Sequence, residues 1–389
     1  MAREKEKYHK NTVSVWRRLG SFFADAVFFI VLNIAIYSLA IFPLTKSITH
    51  YNEYQQKEDE AYDGIKGMLK DAHLLTFDSS GNEIKIDSYF KENLYYLLNK
   101  DVVDENGHYY DIFVHFYVTY NAEKLTFNGE KKNYDISYVN NEIYKYSSYP
   151  ELFELREGNI EKTLKFTAES AEYLNQHVNG NITAKSQSYF DKYISIMNER
   201  WLSATDYLSQ SDQYKLHSDS FQSYTNKMLA ILSYSSLITF TVLFALYYFL
   251  IPLLMKKGQT LAKKFLHIGI FNEDHTPIRN SQLAVRVLLQ YIFYFFLIVF
   301  TPFLVIGSGI VYLPLFTING YTFYMFFLEI VTLVMSIVSF IFMSININHR
   351  ALHDKVLGLF VLPDAPEFLD KEEVPSDEVI QGDDINRGS

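Results

Sequence analysis

Four long runs of apolar residues constrain this chain more than any other feature of its sequence. They extend from about Leu19 to Leu44, Met228 to Met255, Leu283 to Tyr312 and Tyr321 to Ile347. A helix rises about 1.5 Å per residue, so about 20 apolar residues cross a hydrocarbon core roughly 30 Å thick, and each run meets that length. Lipid offers no partner to backbone amides, which makes the helix the natural conformation for such a run. Among acids only Asp25 and Glu329 fall inside the runs, and Arg286 stands at the start of the third. The first run could be mistaken for a cleavable secretory leader. Its apolar stretch is longer than the roughly 7 to 15 residues of a leader, however, and it contains Asp25.

Lys and Arg beside the spans set the expected orientation. Arg3, Lys5, Lys7, Lys10, Arg17 and Arg18 precede the first span, and Lys256, Lys257, Lys263, Lys264, Arg279 and Arg286 lie between or at the edge of the second and third. Both segments are expected in the cytoplasm. The stretch from Leu313 to Gly320 is uncharged, as an outer loop can be, and Arg350 with Lys355 places the exit of the fourth span back inside. The expected fold class is an all-α membrane protein with four transmembrane helices and a mostly helical (α+β) extracytoplasmic domain, in a bacterial cell membrane. The expected segments are a cytoplasmic amino terminus at 1–18, spans at 19–45, 228–255, 283–312 and 321–347, an extracytoplasmic domain at 46–227, a cytoplasmic loop at 256–282, an outer loop at 313–320, a closing motif at 348–363 and a disordered tail at 364–389.

The insert is acidic: residues 48 to 225 hold 29 Asp or Glu against 17 Lys or Arg, which exceeds the formal charge of −10 carried by the whole chain. With no cysteine in the sequence, it must fold by its core alone. Tyr51, Tyr54, Ala61, Ile65 and Leu69 recur at helical spacing and predict a helix leading out of the first span. Turn residues at Ser79 to Asn82 and at Asn128 and Gly129 flank runs rich in aromatic and β-branched residues, Leu75 to Phe77 and Tyr110 to Tyr120, which predict a small β element. From Pro150 onward helical spacing returns, with Leu152, Leu155, Ile160 and Leu164, then Tyr189, Tyr193, Ile196, Met197 and Trp201. The tail from Asp364 has nine acids against two basic residues and few apolar anchors, the composition of a solvated end.

Few residues carry recognisable chemistry. Arg18 and Asp25 lie two helical turns apart on one face, and a carboxylate at membrane depth is costly unless paired, protonated or turned toward protein. Asp25 reads either as a structural partner of Arg18, Arg286 or another basic residue, or as an ion-coupling acid. Glu329 has no basic neighbour in sequence and stands between ion handling and a structural hydrogen bond. His349 and His353 are spaced i, i+4, so a helical exit of the fourth span would put both imidazoles on one face; with no third ligand at recognisable spacing, no metal is expected. Phosphate loops, nucleophile elbows and HExxH zinc motifs are missing from the sequence, which argues against an enzyme, and no cofactor or nucleic-acid partner is expected.

Several stretches resemble the RDD family of small bacterial membrane proteins, named for one Arg and two Asp. Trp16 to Asp25 is similar to the family's opening, with Arg18 and Asp25 at its Arg and first Asp. Gly258, Gln259, Thr260, Leu261, Ala262, Lys263 and Lys264 resemble its loop motif, which usually has Gly where Ala262 stands. Arg286 matches the Arg leading into the next span. Leu352, His353, Asp354, Lys355, Val356, Leu357 and Gly358 are similar to its closing motif, with Asp354 as the second Asp, although Leu359 replaces the usual Thr. The resemblance covers residues 13–46 and 226–362; family members commonly have about three spans and no large outer domain. It implies transport of unidentified ligands, with cation/proton antiport proposed for some members. The sequence as a whole favours a non-enzymatic accessory or adaptor protein whose outer domain binds a membrane or envelope partner. The alternatives are a cation/proton exchanger acting as a homo-oligomer through Asp25 and Glu329, and a sensor that passes an outer signal to the acidic tail.

Overall fold

The computed structural model describes residues 13–76, 78, 81–99, 111–154, 165–255, 257–274, 276–299, 314–318, 321–346 and 348–363. The chain folds as two units, one made of residues 1–51 with 229–389 and the other of residues 52–228. Three described helices are long and apolar enough to cross a membrane: α1 (Val15–Ile48), α8 (Asp212–Leu254) and α11 (Met325–Ile345). The chain is a membrane protein on this ground. The expected third span begins as α10 (Asn280–Tyr294) and a 3-10 turn, Phe295–Val299; its remainder, at 300–313, lies outside the described residues, as do the acidic tail and residues 1–12. The region expected to be an outer loop followed directly by a fourth span differs from expectation. Pro314–Ile318 (β4) and Tyr321–Tyr324 (β5) form an antiparallel hairpin, and α11 starts only at Met325. Thr317, Thr322 and the surrounding aromatics are good strand formers, and their ladder satisfies backbone groups before the helix takes over.

Two of the long helices widen locally into π turns, at Tyr37–Ile41 in α1 and at Leu246–Leu250 in α8. Each lies just ahead of a proline, Pro43 and Pro252. A proline ring has no N–H to give and collides with the carbonyl four residues back, here Leu39 and Tyr248, and the extra residue of the π turn relieves that conflict. Within the first unit α1 and α8 meet along an aromatic seam. Phe29 packs edge to face against Phe240 at 5.2 Å and Phe244 at 5.7 Å, and the Tyr37 hydroxyl donates to the Leu232 carbonyl at 3.3 Å. The outward faces of α1 and α11 carry Val27, Phe28, Val31, Val334 and Ile341 exposed. Such a surface would be a liability in water and suits hydrocarbon. Below these helices β3 (Ile268–Asn272) pairs antiparallel with β6 (Leu359–Pro363), from Ile268 opposite Pro363 to Asn272 opposite Leu359.

The second unit is helical around a core of its own. It contains α2 (Tyr51–Asp71), α3 (Ile86–Asn99), helical stretches α4 at 112–124 and α5 at 136–143, a two-residue pair of strands, β1 (Phe153–Glu154) with β2 (Lys165–Phe166), and α6 (Ala168–Val178) and α7 (Ala184–Ser209). Phe90, Leu94, Phe113, Phe116, Tyr144, Tyr193 and Met197 are buried together. The β element expected over Tyr110 to Tyr120 is overturned: Ile112–Val114 is α-helical and His115–Tyr120 a π turn. Asp111 explains the outcome. Its carboxylate accepts from the Phe113 and Val114 amides at 3.0 and 3.1 Å and so caps a helix whose apolar residues are buried on all sides. The turn residues Asn128 and Gly129 do make a two-residue turn, with φ of 54° and 80°, closed by the Phe127 and Glu130 bridge. Of the helical pattern expected from Pro150, Leu155, Ile160 and Leu164 lie outside the described residues, and Tyr189 to Trp201 falls within α7.

Candidate functional site

α1 turns one face inward, and Arg18, Ser21, Asp25, Phe29 and Asn33 are buried along it at intervals of three and four. α10 does the same with Leu283, Arg286, Val287, Gln290 and Phe293. Between α8 and α10 the chain makes a tight turn at Lys257 and Gly258, both at positive φ, and begins α9 (Leu261–Phe265) at Thr260. A Cβ on Gly258 would lie 2.8 Å from Ile278 Cγ2, so both the backbone conformation and the close approach call for glycine. After α11 the chain turns again and forms α12 (Leu352–Val356), which buries His353 and Asp354.

These elements bring the motif residues into two linked charge clusters. Asp354 Oδ1 accepts from Arg286 Nε at 2.8 Å, and its Oδ2 accepts from Arg18 Nη2 at 3.0 Å, with all three side chains at most 6% exposed. Arg18 Nη1 also donates to the His349 carbonyl. Asp25 is held differently. Its Oδ1 accepts from Tyr247 Oη at 2.9 Å and from the Ala262 amide at 3.2 Å; its Oδ2 accepts from Thr260 Oγ1 at 2.5 Å and from Lys263 Nζ at 3.2 Å. A carboxylate from one helix thus caps the first turn of another, where free amides and the helix dipole favour negative charge. Arg18 and Asp25 share a face of α1, as their spacing predicts, yet each finds its partner far away in sequence and they do not pair with each other.

Burial and charge tune the ionisable groups that lie outside the spans. Burial opposes ionisation of Asp354, but Arg286 and Arg18 outweigh it and hold the carboxyl well below the usual carboxylate range. Burial, with Arg286 and Arg18 adding to it, pushes the His353 imidazole down to about 4 against the pull of Asp354. Burial likewise lowers the Lys263 ammonium, with Asp25 opposing. The clusters bring together three basic side chains, Arg18, Lys263 and Arg286, and two acidic ones, Asp25 and Asp354, with His353 beside them.

The remaining motif residues serve the turns around the clusters or stand apart. Gln259 Nε2 donates to the Ile268 carbonyl at 3.0 Å and ties the turn to β3. Lys355 is exposed, its ammonium over the Phe342 ring at 4.7 Å. His349 and His353 do not share a helix face, because α11 ends at Ile345 and His349 stands at positive φ before α12 begins; among the described residues no group of side chains could hold a metal. Glu329 is buried in α11, and among the described residues its Oε1 has no hydrogen-bond partner.

A cavity of about 460 Å³ opens above the clusters and is bordered by Arg18, Asp25, Lys263, Arg286, His353 and Asp354. Apolar walls face them, formed by residues such as Phe22, Phe293, Phe296, Phe340 and Met343. Tyr247, Tyr248, Ser21 and Gln290 escaped the reading of the sequence. The signal that could have found Gln290 is its place one turn beyond Arg286, a polar residue on the same face of an apolar run.

Comparison with known proteins bears on this part of the chain alone. Residues 214–358 match the model of the RDD family, a stretch that includes Gly258, Arg286 and Asp354 but begins after Arg18 and Asp25 and after most of the 52–228 unit. No curated protein and no solved structure matches the chain.

Proposed function

We infer that this chain, with an RDD family domain over residues 214–358, is a non-enzymatic multi-pass membrane accessory protein. In this reading the RDD domain is a fixed scaffold near the cytoplasmic face, and the 52–228 unit lies outside the membrane and binds an envelope partner. The observation that carries it is that every oxygen of the clustered carboxylates accepts from a protein donor. Both oxygens of Asp354 accept from arginine, and those of Asp25 accept from four donors between them. Acids so engaged hold helices together, with each oxygen tied to a protein donor rather than to a migrating cation. Crosslinking followed by gentle solubilisation of the full chain is expected to recover a distinct membrane or envelope protein joined to residues 52–228. Recovery of nothing but copies of this chain would overturn the reading.

One observation favours a second reading, cation/proton exchange by an oligomer. Glu329 sits in an apolar helix with an oxygen unpartnered among the described residues, the kind of intramembrane acid that elsewhere binds ions or protons. Exchange predicts pH-dependent cation flux in proteoliposomes that Glu329→Gln and Asp25→Asn abolish. Wild-type vesicles without flux would remove it.

A further inference from the structure

The cavity above the charge clusters is two-natured. One end is built from basic and acidic side chains, and the rest is walled by aromatic and aliphatic ones. Four residues that line it each carry a buried polar atom with no hydrogen-bond partner among the described residues: Ser21 Oγ, Tyr248 Oη, Gln290 Oε1 and His353 Nδ1. Their residues are 2%, 2%, 1% and 6% exposed, and they come from four separate helices, α1, α8, α10 and α12. Buried polar atoms left without partners are costly, so four of them on residues around one space point to polar atoms of something that occupies it.

Charge narrows what that occupant is. Three basic side chains face two acidic ones, and every oxygen of the acids already accepts from a protein donor, so the surplus is positive and suits an anion. Shape narrows it further. Phe23, Leu333, Ile337 and Phe340 line the cavity and are also exposed on the apolar faces of α1 and α11, so its wall continues onto the surface turned to hydrocarbon. A small water-borne anion would match the charged end and leave this wall idle. The volume falls in the range of ordinary ligand pockets, roughly 300 to 1,000 Å³.

We propose that this cavity binds a single anionic phospholipid, with its phosphate at Arg18, Lys263 and Arg286, its headgroup hydroxyls on Tyr248, Ser21 and Gln290, and an acyl chain along the Phe23 and Phe340 wall. The site is independent of any envelope partner of the 52–228 unit, and a failed search for that partner would leave it untouched.

Native mass spectrometry of the full chain in detergent tests the assignment, with phosphatidylglycerol and phosphatidylcholine of matched acyl chains as probes. One phosphatidylglycerol per chain is expected, held at least about tenfold more tightly than phosphatidylcholine. Tyr248→Phe with Gln290→Leu, which leaves every cluster charge in place, is expected to weaken phosphatidylglycerol about tenfold at an unchanged melting temperature. Equal retention of the two lipids would mean that an apolar groove alone is at work and would overturn the proposal. Displacement of the lipid by inorganic phosphate or by glycerophosphoglycerol at equal concentration would assign the site to a free anion and overturn it as well. If the double variant fails to fold, the comparison of the two lipids on the wild-type chain still decides.

Discussion

Replacing Asp354 by asparagine removes the carboxylate that Arg18 and Arg286 share and leaves two guanidinium groups facing each other at no more than 6% exposure. Taking one partner from a buried ion pair costs about 3–5 kcal/mol, because the charge left behind has been stripped of water without compensation. Here two cations are stranded by a single change, so the upper part of that range applies. For a domain of this size roughly 2–4 °C of melting temperature goes with each kcal/mol, and Asp354→Asn is expected to lower the transition of the full chain in detergent by roughly 10 °C or more. Arg286→Leu alone, which leaves Arg18 to neutralise Asp354, should fall less. The triple variant Arg18→Leu, Arg286→Leu, Asp354→Leu should recover most of the loss, since exchanging a whole buried charge network for apolar side chains is often close to neutral. Thermal size-exclusion profiles of the four proteins provide the measurement. A shift below about 2 °C for Asp354→Asn, or a triple variant as unstable as the worst single one, would refute the account of this cluster as a buried, mutually dependent set of charges.

Three further outcomes follow from the geometry. His353 is held down to about 4 in the fold against about 6.5 when free; its contribution, about 3 kcal/mol, is present above pH 6.5 and lost as pH falls through 4. The His353→Gln variant should therefore show a flatter stability profile between these values in chemical unfolding, and an equally steep profile would exclude this origin. Asp111 shifts the other way, raised to about 6 by burial, so the stability tied to it is complete below about 4 and declines by about 3 kcal/mol as pH rises through 6. With Trp16→Phe in place, Trp201 fluorescence reports the 52–228 unit, and Asp111→Asn should remove that decline. Gly258→Ala, at a φ of 62° with Ile278 Cγ2 in the way, should cost about 2 kcal/mol; an unchanged melting temperature would show that the turn relaxes at no expense.

The membrane helices were the most legible part of the sequence, because an apolar run of sufficient length with at most one acid has few alternatives. α1 contains the first run, α8 contains the second except Met255, and α11 lies within the fourth. The stretch around Tyr110 to Tyr120 was misread for an intelligible reason. Ile112, Val114, Tyr117 and Tyr120 have strand propensity, but Phe113, His115 and Phe116 are buried as well, so the run lacks the alternation a half-buried strand requires, and burial on every side fits a helix equally. The helix signal was Asp111, legible as a cap only once the segment is known to start there. Within the site the residue types were readable and the partners were not. Seven positions along a helix put Arg18 and Asp25 on one face but about 10 Å apart along its axis, and each side chain instead reaches a group more than 200 positions away, Asp354 or Lys263. Tertiary packing sets that choice, and no local pattern encodes it.

The pairing of Arg18 with Asp354 also bears on how the chain is completed during synthesis. The basic partner stands near the start of the sequence and the acidic one near its end, with α8, α10 and α11 and all of residues 52–228 between them. A nascent chain that has not yet reached α12 holds Arg18 and Arg286 without the acid they share, so the two arginines stay unpaired until Asp354 has been made. Chains that stop early, before Leu352, are thus left with unneutralised arginines at the heart of the domain. The ion pair that fastens the finished protein marks the unfinished one as incomplete.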